Sequence, residues 1–260
     1  MKLNKKIVFF DIDGTLVDHN KQIPDQTVEA IKQLKQQGVY VVIATGRAPF
    51  MFKDIREQLE IDSYVSFNGQ YVVFEGETIY ENPLEYQHLT ELTNSSNASG
   101  HSLVYMNHKE MRASNNNDER VSESLKTLKR DYPEIDPQYY EKNAIYQVLL
   151  FCEQQSEDRY TREHQQLRFI RWHDLSCDVL PLGGSKAIGV DKLIAASGIS
   201  HDQSYAFGDG LNDMEMLQHV GVGVAMGNAI FELKQVADYV TDDVDNEGLV
   251  KGLYEVGLLK

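Results

Sequence analysis

The chain has 260 residues, 42% hydrophobic and 25% charged, a balance that fits a globular protein of one large or two moderate domains. Its 40 acidic and 25 basic side chains leave a formal charge of −15, scattered rather than gathered in a tail, which argues against nucleic acid and anionic membranes as partners. The same charge opposes any anionic ligand, so a phosphate site would have to carry local positive charge of its own. Cys152 and Cys177 give neither a disulfide framework nor a zinc pattern and read as free thiols in a reducing compartment. The opening MKLNKKIVFF sets basic residues before an apolar run, yet Asp11 interrupts that run too soon for a secretory leader. No apolar stretch approaches membrane-spanning length. Asn94-Ser95-Ser96 and Asn97-Ala98-Ser99 match the glycosylation pattern, which a cytosolic chain would leave bare. The expectation is a cytoplasmic protein.

Taken in chain order, IVFF (7–10) is a short continuous apolar run, as in a strand covered on both faces. Val28, Ile31 and Leu34 then recur at helical spacing, and Gly38 stands where a helix ends. VYVVIATG is a second buried strand, and PFMFKDIREQLE begins a helix with Pro49 near its first turn. Two parallel strands joined by a helix predict a covered parallel sheet. YVSFNGQYVVFEGETIY reads as a third strand followed by a hairpin turned at Glu75-Gly76.

Between about 82 and 181 the style changes. Polar tracts such as LTNSSNASGHS and SNNNDERVSE separate four expected strands, SLVYM, AIYQVLLF, LRFIRW and SCDVLPL, and helices near 86–93, 118–129 and 156–166. From Ser185 the α/β rhythm returns, with helices over 186–196, from about 213, near 229–235 and near 248–256, and with strands QSYAFG, GVGVAM and ADYVT. The first and last thirds therefore predict one doubly wound parallel-sheet core (residues 1–82 and 183–260), interrupted by an inserted α+β domain at 83–182.

In such a sheet the ligand crevice lies beyond the carboxyl ends of the strands, where strand order reverses. Four polar clusters fall at such ends: DIDGT, TGR (Thr45, Gly46, Arg47), NG (Asn68, Gly69) and GDGLND (Gly208 to Asp213). An isolated aspartate there usually caps a helix, which would account for Asp213 and Asp13 singly. Asp11, Asp13, Asp209 and Asp213 together instead suit a hard divalent cation such as Mg²⁺. Lys186, after LGGS at the return from the insert, is well placed to supply positive charge, whereas Arg47 suits a phosphate contact or a structural salt bridge.

DIDGT paired with GDGLND resembles the haloacid dehalogenase superfamily of aspartate-nucleophile phosphotransferases. Its four signatures occur in order: DxDGT at 11–15, a strand-terminal Thr45, Lys186 and GDxxND at 208–213. The insert's placement, the NG after the third strand and VAMGNA (224–229) resemble the Cof-type subfamily with a type IIB cap. The pattern often has glycine beside the lysine, whereas this chain reads Lys186-Ala187. The resemblance implies a Mg²⁺-dependent phosphatase that hydrolyses phosphate monoesters of small metabolites, sugar phosphates or similar, through an aspartyl-phosphate. Asp11 would be the nucleophile and Asp13 the general acid and base. Asp11, the Asp13 carbonyl and Asp209 would hold Mg²⁺, and Asp213 would orient its waters. Thr45, Gly46, Lys186 and Asn212 would cradle the phosphate.

A sugar phosphomutase or phosphotransferase is the alternative, differing in whether water or a second hydroxyl takes the phosphoryl group. A non-catalytic phospho-receiver module fits less well, since it needs no general acid at Asp13. The resemblance further implies a small phosphorylated metabolite as partner, and a monomer or homodimer. Asn82-Pro83 and Leu182-Gly183-Gly184 suit hinges. Within the insert, His108, Arg112, Arg171 and His173 are candidates for reading the substrate, and Phe169 and Trp172 read as insert core.

Overall fold

Residues 5–260 are described in a computed structural model; residues 1–4, the basic start of the N-terminal run, lie outside them. The first segment gives β1 (Ile7–Phe10), α1 (Asp25–Gln36), β2 (Tyr40–Ala44), α2 (Lys53–Leu59), β3 (Tyr64–Ser66), β4 (Tyr71–Phe74) and β5 (Glu77–Glu81). The middle segment gives α3 (Tyr86–Ser99), β6 (Ser102–Met106), β7 (Met111–Ala113), α4 (Glu119–Thr127), β8 (Gln147–Phe151), α5 (Gln154–Glu163), β9 (Leu167–His173) and β10 (Ser176–Pro181). The last gives α6 (Lys186–Ser197), β11 (Ser204–Gly208), α7 (Met214–His219), β12 (Val222–Ala225), α8 (Phe231–Val236), β13 (Tyr239–Val240) and α9 (Gly248–Glu255). Two compact units result. One holds the residues up to Arg47, Met51–Tyr80 and Ser185–Lys260, and the other Ala48–Phe50 and Glu81–Gly184.

The first unit is built on a sheet of order β13-β12-β11-β1-β2-β3-β4-β5. β1 pairs in parallel with both β2 and β11, and from these two neighbours the chain winds outward in opposite directions. The order therefore reverses at β1, which is where a doubly wound sheet opens its crevice. All four residues of β1 are fully buried, as a strand covered on both faces requires. Ile7 and Phe9 face Val190 and Leu193 of α6, Met216 and Leu217 of α7 and Leu233 of α8. Beyond Ser66 the chain turns back, so β4 runs antiparallel to β3, and Glu75 and Gly76, both at positive φ, turn the chain into β5.

The second unit is an antiparallel sheet of order β7-β6-β8-β10-β9. Leu89 and Leu92 of α3 and Tyr160 of α5 pack on Leu103, Tyr105, Val148, Leu150 and Val179. Phe169 packs against this cluster, in keeping with its reading as core. Two expectations are corrected here. The polar tract LTNSSNASG is not a separator: α3 runs on to Ser99 because Thr93 and Ser96 face inward and the Ser96 hydroxyl donates to the Thr93 carbonyl. Gly100, at φ 67, ends the helix instead. A fifth strand, β7, was not expected either; its three residues are too few to show a period.

Helix α6 lies unusually close to the sheet edge. A Cβ on Gly189 would fall 2.3 Å from the Val65 side chain and 3.0 Å from the Gly69 Cα, so the helix can sit there only without a side chain at that position. One turn earlier the same helix delivers Lys186. Gly189→Ala is expected to push α6 outward and destabilise the protein by about 1–3 kcal/mol, read as a lower midpoint in urea denaturation.

Candidate active site

Asp11 follows β1, Thr45 follows β2, Asn68 follows β3 and Asp209 follows β11, so parallel pairing brings all four to one edge of the sheet. At the centre lies Lys186, fully buried on the first turn of α6. Its ammonium donates to Asp11 Oδ1 and to Asp213 Oδ1, each at 2.6 Å. Both oxygens of Asp213 are engaged: the second accepts from the backbone N–H groups of Asp209 at 3.0 Å and Gly210 at 2.9 Å. Its helix-capping reading is corrected: it stands at the N-cap of α7 but makes no cap bond to that helix, because its side chain turns back to the N–H groups of Asp209 and Gly210.

Asp11, Asp209 and Asp213 each bring one carboxylate oxygen within 4.8 Å of the others. Burial raises the Asp11 pKa to about 7, opposed by Lys186 and assisted by Asp213 and Asp13. Asp209, desolvated and facing Asp11 and Asp213, is raised to about 8. Burial alone would discharge Lys186, but the two carboxylates outweigh it and its pKa is raised. Three acids against one ammonium leave excess negative charge in a dry place, and the donors are all hard oxygens. That set fits a divalent cation of the Mg²⁺ kind.

Asp13 is directed elsewhere. Arg47 clamps it with two bonds, Nε to Oδ2 at 2.8 Å and Nη2 to Oδ1 at 2.6 Å, and Lys21 adds a third at 2.5 Å. Burial would raise its pKa, yet these cations hold it below the usual carboxylate range. Arg47 therefore forms a salt bridge, the second of the two roles open to it in sequence. Lys21 carried no sequence expectation. It stands at φ 60 in a turn folded over the Asp18 carboxylate, which accepts from the N–H groups of Asn20 and Gln22.

The Thr45 hydroxyl accepts from the Arg47 N–H at 3.1 Å, and the Asn212 amide donates to Asn68 Oδ1 at 3.1 Å. A Cβ on Gly46 would meet that same Asn68 amide at 3.0 Å, so Gly46 and Asn212 flank Asn68. Gly14, at φ 75, is required twice over, since a Cβ there would lie 2.3 Å from Asp209 Oδ2. Asn228, within the VAMGNA stretch but given no role by the sequence, donates to Asp209 Oδ2 at 3.2 Å. In the second unit, Arg112 pairs with Glu110, Arg171 with Glu157 and the carbonyls of Cys152, His173 and Asp174, and His173 with Ser124. Each of these three side chains is thus paired within its own unit.

A profile of the haloacid dehalogenase-like hydrolases matches residues 8–253. The chain belongs to this family. YkrA of Bacillus subtilis (strain 168) is 46% identical over 258 residues, which are 99% of this chain and 100% of that one. A crystal structure of a hypothetical protein from Geobacillus kaustophilus HTA426 shares 55% identity at a TM-score of 0.94, over 98% of this chain and 100% of that one. The subclass IIB sugar phosphatase BT4131 shares 28% identity at a TM-score of 0.88, over 98% of this chain and all of that one. This haloacid dehalogenase-like hydrolase thus has the doubly wound core and inserted α+β unit of its subclass. Among the described residues no helix is long and apolar enough to cross a membrane.

Lys186→Met would leave Asp11 and Asp213 buried without their shared cation. Denaturation in metal-free buffer at pH 8 should show a loss of about 3–5 kcal/mol. The loss should shrink at pH 5, where protons can take the cation's place.

Proposed function

We propose that the protein is a Mg²⁺-dependent phosphatase that hydrolyses phosphate monoesters of small metabolites through an aspartyl-phosphate on Asp11. The observation that carries this reading is the Asp11 carboxylate, buried at the switch point with one oxygen fixed by Lys186 at 2.6 Å. A carboxylate so placed can attack phosphorus only if cations offset the charge of both partners. Asp11, the Asp13 main-chain carbonyl and Asp209 would hold Mg²⁺, with Asp213 orienting its waters. Bound there, the ion would neutralise phosphate charge and screen nucleophile from substrate. Lys186, Thr45, the N–H groups about Gly46 and Asn212 would receive the remaining phosphate oxygens.

In the first step an Asp11 oxygen bonds to phosphorus as the ester oxygen departs, taking a proton from Asp13. In the second, water gives a proton to Asp13 and its oxygen bonds to phosphorus, releasing phosphate and restoring Asp11. The Arg47 and Lys21 clamp favours charged Asp13 and so suits the second step, when it accepts a proton. It opposes the first, and a phosphate dianion drawing Arg47 away would relieve that opposition. For the substrate, two relatives point the same way: the sugar phosphatase BT4131, and YcsE of Bacillus subtilis (strain 168), a 5-amino-6-(5-phospho-D-ribitylamino)uracil phosphatase 27% identical over 264 residues. Both names describe a phosphate on a polyhydroxylated carbon chain, which makes sugar and sugar-alcohol monoesters the leading class.

Phosphate release should be measured with Mg²⁺ over a panel of such monoesters, with Asp11→Asn run beside the wild type. Turnover by the wild type should fall at least about a thousandfold in the variant. Release that survives Asp11→Asn would rule out the covalent route. The acid cluster makes a second prediction. Asp11 and Asp209 are raised above 3.8, so between about pH 4 and 8 the metal-free folded protein binds protons that the unfolded chain has lost. Its stability from these groups therefore falls as pH rises through that window. With chelator the melting temperature should drop between pH 5 and pH 8, and Mg²⁺ at pH 8 should restore it; Mg²⁺ without effect there would remove the ion from this reading.

A further inference from the structure

Asn228 follows β12 in a turn wrapped around the Gly208-Asp209 segment. The Met226 N–H donates to the Gly208 carbonyl at 3.0 Å, and the Ile230 N–H donates to that of Asp209 at 3.0 Å. Between these anchors the Asn228 side chain reaches three places. Its amide nitrogen donates to the Gly14 carbonyl at 2.8 Å and to Asp209 Oδ2 at 3.2 Å, and its oxygen accepts from the Val244 N–H at 3.0 Å. The Gly14 carbonyl can only accept and the Val244 N–H can only donate, so the amide has one possible orientation, with its nitrogen toward Gly14 and Asp209. The bare Gly14 permits this: a Cβ there would lie 2.8 Å from the Asn228 nitrogen.

We infer that Asn228 is a positioning residue for the cation site: it fixes the rotation of the Asp209 carboxylate against the loop carrying Asp11 and Asp13, and so sets the affinity for Mg²⁺. This rests on the Mg²⁺ reading proposed above. The bond to Asp209 Oδ2 leaves Oδ1 as the oxygen without that donor, and the bond to Gly14 ties the same amide to the chain one residue from Asp13 and three from Asp11. An outer partner that orients a ligating carboxylate typically contributes about 10–100-fold to metal affinity. A merely structural staple would lower stability and leave that affinity unchanged.

The test is a calorimetric titration of Mg²⁺ into wild type and Asn228→Leu, which keeps the volume and removes all three bonds. Thermal denaturation checks the fold, and hydrolysis of p-nitrophenyl phosphate is followed across Mg²⁺ concentrations. The expected result is Mg²⁺ binding weakened about 10–100-fold, with activity recovered at high Mg²⁺ and KM for the ester little changed. A folded Asn228→Leu that binds Mg²⁺ as tightly as wild type overturns the inference. If that variant does not fold, Val244→Pro removes the N–H that holds the amide oxygen, together with part of a buried side chain, and leaves both bonds of the amide nitrogen in place. Proline suits that place, since Asp243 before it lies at φ −60, ψ 148. It should weaken Mg²⁺ a few-fold, and unchanged affinity again overturns the inference. Wild type that binds no Mg²⁺ would instead defeat the parent reading.

Discussion

The Lys186 ammonium, enclosed between the carboxylates of Asp11 and Asp213, is the contact on which the first unit depends. It ties the end of β1 to the start of α6 and to the loop after β11, segments that the insert holds far apart in sequence. A buried ion pair of this kind contributes little net stability, because desolvating the charges offsets most of their attraction. Its effect is one of placement. It fixes which carboxylate oxygens are engaged and which are left facing the crevice, and it keeps one positive charge where the rest of the protein would repel an anion.

Charge distribution around that contact sorts the four strand-end acids into different roles. Asp213 has every oxygen engaged by the protein, Asp11 and Asp209 are under-compensated, and Asp13 is over-compensated by Arg47 and Lys21. Two groups prone to keep a proton therefore lie beside one prone to lose it. The divergence comes from the partners each carboxyl is given: buried acids beside Asp11 and Asp209, two cations beside Asp13. It arises from local pairing within a chain whose net charge is −15.

The architecture and the acids were legible because they break the local pattern: a buried strand that ends in two aspartates, and a second aspartate pair after β11, cannot be accounted for by packing. Lys21 was not legible, because its approach to Asp13 depends on the turn at Asp18, and a lysine in a polar loop looks like any other. Asn228 had a usable signal, as a polar residue just past the end of a buried parallel strand; the rule that found the other clusters reaches it when extended to β12. α3 was under-read for the opposite reason. Its asparagines and serines favour turns in isolation, and the inward-facing Leu89, Leu92, Thr93 and Ser96 hold them helical. β7 is so short that pairing with β6 is what makes it a strand at all.

The position of β1 at the middle of its sheet bears on how the chain is made. β2 follows within a few dozen residues, but β11 begins only at Ser204, so one edge of a wholly apolar strand stays open until most of the chain has left the ribosome. The five strands of the second unit pair only with one another, all between Ser102 and Pro181, and can close earlier. Domains tend to form as units during synthesis, and exposed apolar edges invite aggregation while they wait. The inserted unit thus has all its strands available before β11 exists to cover the open edge of β1.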